Sequence, residues 1–217
     1  PGTKFSYCSY NWNVIGVVME AAARQYFLSY MEDNVIKPLG LTNTCPDLAG
    51  VSDPQRTQFY ETDPSGKFSI APPVNLSFVW PAGGFLSTAE DLVRFGSAHL
   101  KRGFLKPESL RLLFCSQMTS AGTPTHYGVG WFVGRDVLHH GGDSIGGTSV
   151  LLLRPASRTV VAIASNRGME LHLDWHWDQE TEACPEPVTA EPGAEPGRAR
   201  PPLAERVPIA YEHRLIR

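Results

Sequence analysis

The sequence lacks long apolar runs. No stretch of its 217 residues approaches the roughly 20 consecutive apolar residues that a membrane-spanning helix needs, so no membrane span is expected. Charge of one sign is lacking too. A formal net charge of -3 is too slight to point to nucleic acid or an acidic membrane surface as partner. Cysteine is sparse: Cys8, Cys45, Cys115 and Cys184 stand far apart with no C-x-x-C pair. Neither a zinc knuckle nor a disulfide framework is indicated, and free thiols are expected. There is no internal repeat and no G-x-S-x-G elbow of the kind that presents a hydrolase serine. No apolar signal segment follows the opening Pro1-Gly2-Thr3-Lys4. The compartment is left open.

What is present is an ordinary globular composition, 42% hydrophobic and 19% charged, enough for one sizeable core with or without a tail. The organising stretch is Leu138-His139-His140-Gly141-Gly142-Asp143-Ser144-Ile145-Gly146-Gly147-Thr148-Ser149, which runs into Val150-Leu151-Leu152-Leu153. Its glycines let a backbone approach a ligand closely, and the apolar run has the length of a buried strand. A second apolar run, Thr159 to Ala164, follows the turn-forming Pro155-Ala156-Ser157-Arg158. Paired histidines beside a buried hairpin place polar side chains on a rigid edge, where sites are well supported.

Upstream, Val14, Ile15, Val17, Val18, Ala21 and Ala22 recur at helical spacing. A second helix is expected from about Ser29, ending before Pro38. Residues 42 to 79 lack periodicity; turn signals at Ser52-Asp53-Pro54 and Asp63-Pro64-Ser65-Gly66 bracket candidate short strands at 57–61 and 67–70. A loop this long suits a cleft lining. Ser87 with Glu90 reads as a capping box for a helix carrying Leu92, Val93, Phe95, His99 and Leu100, ended by Gly103. His99 within it reads as a satisfied core histidine. Pro107 opens another helix, and 127–134 reads as a strand. Helices first and consecutive strands later predict an α+β fold, an antiparallel sheet flanked by helices. From Gln179 on, Glu, Pro, Gly and Ala dominate, and such a segment buries too little apolar surface to offset ordering entropy. The expected division is a domain over residues 1–170 and a tail over residues 171–217.

Three constellations could carry chemistry. Tyr7 and Ser9 with His139-His140-Gly141-Gly142 combine a tyrosine able to shuttle protons with backbone N–H groups suited to an oxyanion. A hydroxyl nucleophile with a histidine base is the second. In the third, His172 and His176 stand at i, i+4 with Asp174 and Asp178 nearby, as for a metal, but Leu173 occupies the glutamate position of a zincin. No metal site is expected there.

Four blocks in order resemble the serine penicillin-recognising hydrolases: class C β-lactamases, D-alanyl-D-alanine carboxypeptidases and related esterases. Phe5-x-Tyr7-x-Ser9-x-x-Trp12-x-Val14-Ile15-Gly16 is similar to the family's Y-x-N block and the helix after it. Ile36-Lys37-Pro38-Leu39-Gly40-Leu41-Thr42-Asn43-Thr44 resembles P-L-G-M-x-x-T. Ala82-Gly83-Gly84-Phe85-Leu86-Ser87-Thr88-Ala89-Glu90-Asp91-Leu92 resembles A-G-G-L-x-S-T-x-x-D-L, and His139-His140-Gly141-Gly142 stands where the family has K-T-G or H-x-G.

The resemblance implies acyl transfer through a serine ester, without metal or organic cofactor, on a small-molecule or peptide substrate. It assigns Tyr7 to proton transfer and the Gly142 N–H to the oxyanion, with Ser9, His139, His140 and Gly141 against substrate. Ser9 replaces an asparagine. His139 in the lysine position offers no fixed charge, which leans the expectation from β-lactams towards peptides or esters. The family's S-x-x-K nucleophile motif is missing: Lys4, Lys37, Lys67, Lys101 and Lys106 are preceded three residues earlier by Pro1, Asn34, Pro64, Ala98 and Gly103. The chain is therefore expected to be a C-terminal portion lacking the first strands and nucleophile helix, inactive alone, with an aggregation-prone sheet edge. The alternative is a non-catalytic binding or scaffold protein on the same fold.

Overall fold

A computed structural model describes residues 2–51 and 53–168. The expected tail and the His172/His176 pair lie outside the described residues. Helix α1 (Tyr10–Ala23) is followed by α2 (Phe27–Met31). The latter continues through a π turn (Glu32–Ile36) into α3 (Lys37–Leu39). The second helix thus starts two residues before Ser29 and passes through Pro38 instead of stopping ahead of it. The widened turn immediately upstream loosens the hydrogen-bond ladder where the proline ring would otherwise clash. Gly40, at φ 64°, then ends the helix in the left-handed conformation glycine tolerates.

Two short pairings follow. Strand β1 (Cys45–Pro46) pairs with β4 (Phe85–Leu86), and β2 (Tyr60–Thr62) forms a hairpin with β3 (Phe68–Ile70). The hairpin turn is built by Asp63, whose Oδ1 accepts from Ser65 N, Ser65 Oγ and Lys67 N. Those donors, the Ser65 hydroxyl foremost, hold the Asp63 carboxyl below its usual range. Between β3 and β4 lies α4 (Trp80–Gly83).

Helix α5 (Ala89–His99) is capped by Thr88, whose side chain accepts from Asp91 N. The capping pair is therefore Thr88 with Asp91, one residue on from Ser87 with Glu90. Ser87 Oγ is instead 2.8 Å from Thr44 Oγ1. His99 is buried, and its Nδ1–H donates to the Phe95 carbonyl at 2.9 Å. Its ring meets Phe95, Phe104 and Trp131 edge-on, and burial lowers its pKa. Helix α6 (Pro107–Phe114) follows.

The last third is a four-stranded antiparallel sheet in the order β5 (Phe132–Val133), β6 (Leu138–Ser144), β7 (Gly147–Arg154), β8 (Thr159–Ser165). Only two residues of the expected 127–134 strand are extended, because Gly130 at φ 85° turns the chain. Alternation puts Leu151, Leu153, Val160 and Ala162 on the face towards α5. They join Leu100, Phe114, Trp131, Val133 and Leu138 in the core. Gly96 lets helix and sheet close up: a Cβ there would stand 2.8 Å from Val160 Cγ1. Cys8 and Cys45 are free, but Cys115 is disulfide-bonded, which corrects the free-thiol expectation at that position. Among the described residues no helix is long and apolar enough to cross a membrane.

Candidate active site

The glycine-rich stretch is itself a strand. β6 pairs with β7 in unbroken register from Leu138↔Leu153 to Ser144↔Gly147, and a two-residue turn at Ile145-Gly146, with Gly146 at φ 74°, closes the hairpin. β5 is so short that it covers only Leu138 and His139. Beyond them the same edge of β6 pairs with no other strand among the described residues. On this edge the geometry collects aromatic and imidazole groups.

Neighbouring strand residues point to opposite faces, which separates the two histidines. The His139 ring is buried and stacks on Phe132, 5.3 Å between centroids and 15° between planes. Burial first, and the neighbouring His140 second, push its pKa down to about 4. The His140 ring lies against Tyr7, with centroids 5.8 Å apart. Tyr7 stands three residues before α1, is 41% exposed, and also touches Tyr127 and Phe132. Its hydroxyl has no hydrogen-bond partner among the described residues and is open to a ligand. The expectation placed His139 in the lysine position; the imidazole beside Tyr7 is that of His140.

Both nitrogens of His140 are engaged. Nδ1 lies 2.9 Å from the Gly141 carbonyl, which can only accept, so Nδ1 carries the proton. In the neutral ring Nε2 is then an acceptor, and the Tyr127 hydroxyl donates to it at 3.1 Å. Burial lowers the His140 pKa and raises that of Tyr127, so both are neutral near pH 7.

The strand also determines which backbone groups face the opening. The Val137 carbonyl accepts from Gly134 N–H at 2.9 Å, away from β7. Backbone groups of successive strand residues turn to alternate edges. The N–H and carbonyl of His139 therefore turn to Phe132 of β5, those of Gly141 and Asp143 turn to the open edge beyond it, and those of Gly142 turn towards β7. A Cβ on Gly142 would meet nothing within 4 Å, whereas one on Gly141 would press on Val150 Cγ2 at 3.2 Å. Ser9 stands at the N-cap of α1 with its hydroxyl uncommitted to capping, and it is exposed.

Tyr127 is the residue that sequence reasoning passed over. Its position inside Tyr127-Gly128-Val129-Gly130 marked a strand, and no local pattern links it to a histidine 13 residues later. Among the described residues no group of three or more His, Cys, Asp or Glu side chains is placed to hold a metal ion.

Comparison with known proteins agrees with this architecture. The family model for Beta-lactamase matches residues 1–180. The serine beta-lactamase-like protein LACTB, mitochondrial, of Bos taurus is 26% identical over 71% of this chain and 33% of its own length. A penicillin-binding protein structure from Bacillus halodurans superposes with a TM-score of 0.64 at 19% identity, covering 78% of this chain and 54% of that one. The D-stereospecific amidohydrolase of a Streptomyces species gives 0.62 at 21%, covering 76% and 51%. The chain spans about a third of the length of the curated relatives it matches. With the family model matched over most of its residues, on a mixed fold of helices and antiparallel sheet shared with these structures, the chain belongs to the β-lactamase family of serine hydrolases.

Proposed function

We propose that this chain supplies the tyrosine and the sheet-edge wall of an acyl-transfer site that hydrolyses peptide or ester bonds. The observation that carries the proposal is Tyr7: its ring is held 5.8 Å from His140 on the open edge of β6, with its hydroxyl uncommitted. In the reaction a serine Oγ bonds to the substrate carbonyl carbon, and the bond to the amine or alcohol breaks. Tyr7 passes the serine proton to that leaving group. Water then cleaves the ester, releasing the acid and restoring the serine. The N–H groups of Gly141 and Asp143, which turn to the open edge, take the oxyanion role assigned by resemblance to Gly142. Ser9 and the His140 ring line the substrate. The rings packed on Tyr7 among the described residues are those of Tyr127, Phe132 and His140, a setting that suits neutral peptides and esters better than a β-lactam carboxylate. No metal or organic cofactor enters this chemistry.

The serine does not come from an S-x-x-K within these 217 residues. The chain as it stands is therefore proposed to be inactive alone, with residues 1–170 as the hydrolase portion and 171–217 as tail. The missing motif also favours a second reading, a non-catalytic binding protein on the same fold.

The test is acylation by a fluorescent penicillin and by a fluorophosphonate, with hydrolysis of p-nitrophenyl esters and D-amino-acid amides. The isolated chain and any longer native product carrying an upstream S-x-x-K are compared. We expect no labelling of the chain and labelling of the longer product, with Tyr7→Phe lowering kcat there by about 100-fold or more. Labelling of a residue within 1–217, or an unaltered rate in Tyr7→Phe, would overturn the assignment. Ligand binding without acylation of the longer product would favour the non-catalytic reading.

A further inference from the structure

We propose that Tyr127 is a positioning residue that locks His140 as the neutral Nδ1–H tautomer, so that the wall beside Tyr7 carries neither a charge nor a free imidazole nitrogen. Tyr127 is well placed for this. It is 7% exposed, and its ring is stacked on Phe5 at 5.3 Å and set edge-on to Phe132 at 4.8 Å. Its backbone is fixed as well: its carbonyl accepts from Gln117 N at 2.8 Å and its N–H donates to Thr125 Oγ1 at 3.2 Å. The next residue leaves no slack, since a Cβ on Gly128 would fall 2.0 Å from the Leu113 carbonyl oxygen of α6. The hydroxyl is therefore delivered to one place, His140 Nε2.

The chain of donors runs in one direction only. Tyr127 O–H donates to Nε2 and Nδ1–H donates to the Gly141 carbonyl. Reversing the tautomer would turn the Tyr127 hydroxyl from donor to acceptor and leave a lone pair of Nδ1 facing the Gly141 carbonyl oxygen. Protonating the ring would replace the Tyr127 donor bond with a clash of two donors, unless the hydroxyl turned. Among the described residues the titratable groups around His140 are Tyr7 ahead of α1, Tyr127 ahead of β5, and His139 beside it on β6. No carboxylate is among them to favour an imidazolium. A ring with both nitrogens engaged is neither a general base nor a metal ligand, which leaves proton transfer on this face to Tyr7. That last consequence rests on the acyl-transfer proposal; the proton pattern of His140 does not.

The experiment is long-range 1H–15N correlation NMR of the histidine rings in the 217-residue chain, across about pH 5 to 8, for the parent and Tyr127→Phe. We expect His140 as Nδ1–H in the parent. In Tyr127→Phe, which keeps the ring and removes only the donor oxygen, its titration midpoint should rise by about one pH unit, the equivalent of one hydrogen bond to the neutral form. An Nε2–H ring or averaged tautomers in the parent would overturn the proposal, as would an unmoved midpoint in a folded Tyr127→Phe. Should that variant not fold, 3-fluorotyrosine at Tyr127, a stronger donor of the same shape, should lower the midpoint; no change would count against the pair. The assay separates this inference from the functional one. A locked tautomer without acylation refutes only the hydrolase assignment, and acylation with a mobile tautomer refutes only the role of Tyr127.

Discussion

The carboxylate of Asp91, 1% exposed, accepts a hydrogen bond from Thr44 Oγ1 at 2.9 Å and another from the backbone N–H of Asn43 at 2.7 Å. Two sequence blocks that look independent are thus tied by one side chain across 47 residues. The same aspartate lies in the first turn of α5, where negative charge suits the helix end. Its position explains why an acidic residue is tolerated in a buried setting: its donors include a backbone N–H that would otherwise go unpaired.

Asp91→Ala should therefore destabilise the fold by about 1–3 kcal/mol, because it removes the buried acceptor shared by the Asn43 N–H and the Thr44 hydroxyl. Asp91→Asn keeps the shape and should cost less. Urea denaturation at pH 7 measures both, and a Thr44→Val/Asp91→Ala cycle should show coupling. Additive single-variant effects would mean that the contact carries no energy of its own.

Gly96 offers a test of how tightly α5 sits on the sheet. Alanine in its place gains about 1 kcal/mol of helix propensity but puts Cβ 2.8 Å from Val160 Cγ1 and 3.2 Å from Leu151 Cδ1. Overpacking of this kind costs about 1–3 kcal/mol. Gly96→Ala should be mildly destabilising, and Gly96→Ala with Val160→Ala should recover part of the loss relative to Val160→Ala alone. A stabilised single variant would show that the interface yields easily.

These contacts also show what the sequence could and could not reveal. Local signals read well: the Pro155–Arg158 turn between two apolar runs gave the β7–β8 hairpin, and a polar cap before Leu92 gave the start of α5 to within one residue, although the helix ends at His99, ahead of the expected stop at Gly103. Signals that depend on a partner did not. Periodicity predicted an apolar face on α1 without revealing that Val14, Val17 and Val18 are more than half exposed while Gly16 is the buried position. Gly16 is needed because a Cβ there would stand 2.4 Å from Pro81 Cγ. In the site, residue types pointed to Tyr7 and the paired histidines. Which histidine meets the tyrosine depends on strand parity, and the Tyr127–His140 bond depends on a turn at Gly130 that places distant residues together.

Stability should fall on mild acidification. His99, His139 and His140 all have pKa values lowered mainly by burial, His139 to about 4. Between about pH 6.5 and that value the unfolded chain binds more protons than the folded one, so the unfolding free energy rises with pH and drops as pH falls. His139 alone should account for on the order of 2 kcal/mol by about pH 5. Urea midpoints at pH 7 and 5 test this, and His139→Gln should flatten the difference. Equal pH slopes in the two proteins would remove His139 from the explanation.

The exposed stripe on α1 has a further consequence. Tyr10, Val14, Val17 and Val18 are 66%, 55%, 65% and 62% exposed, and the i, i+4, i+7, i+8 spacing gathers them on one helical face. On β8, Val161 and Ile163 point away from α5 and are 45% and 57% exposed, beside the far edge of β8, which pairs with no other strand among the described residues. An apolar helix face and an open strand edge both favour association, by different routes. Apolar contact through α1 should weaken with charge on that face, whereas edge pairing should respond to lysine on β8. We therefore expect sedimentation of the isolated chain to be concentration-dependent. Val14→Glu with Val18→Lys should reduce association without lowering the thermal midpoint, since neither residue is buried. Ile163→Lys should act mainly on slower, thioflavin-positive aggregation. A chain that stays monomeric at about 100 µM with both surfaces intact would show that these faces are self-compatible with water, and the exposure of α1 would then need another physical account.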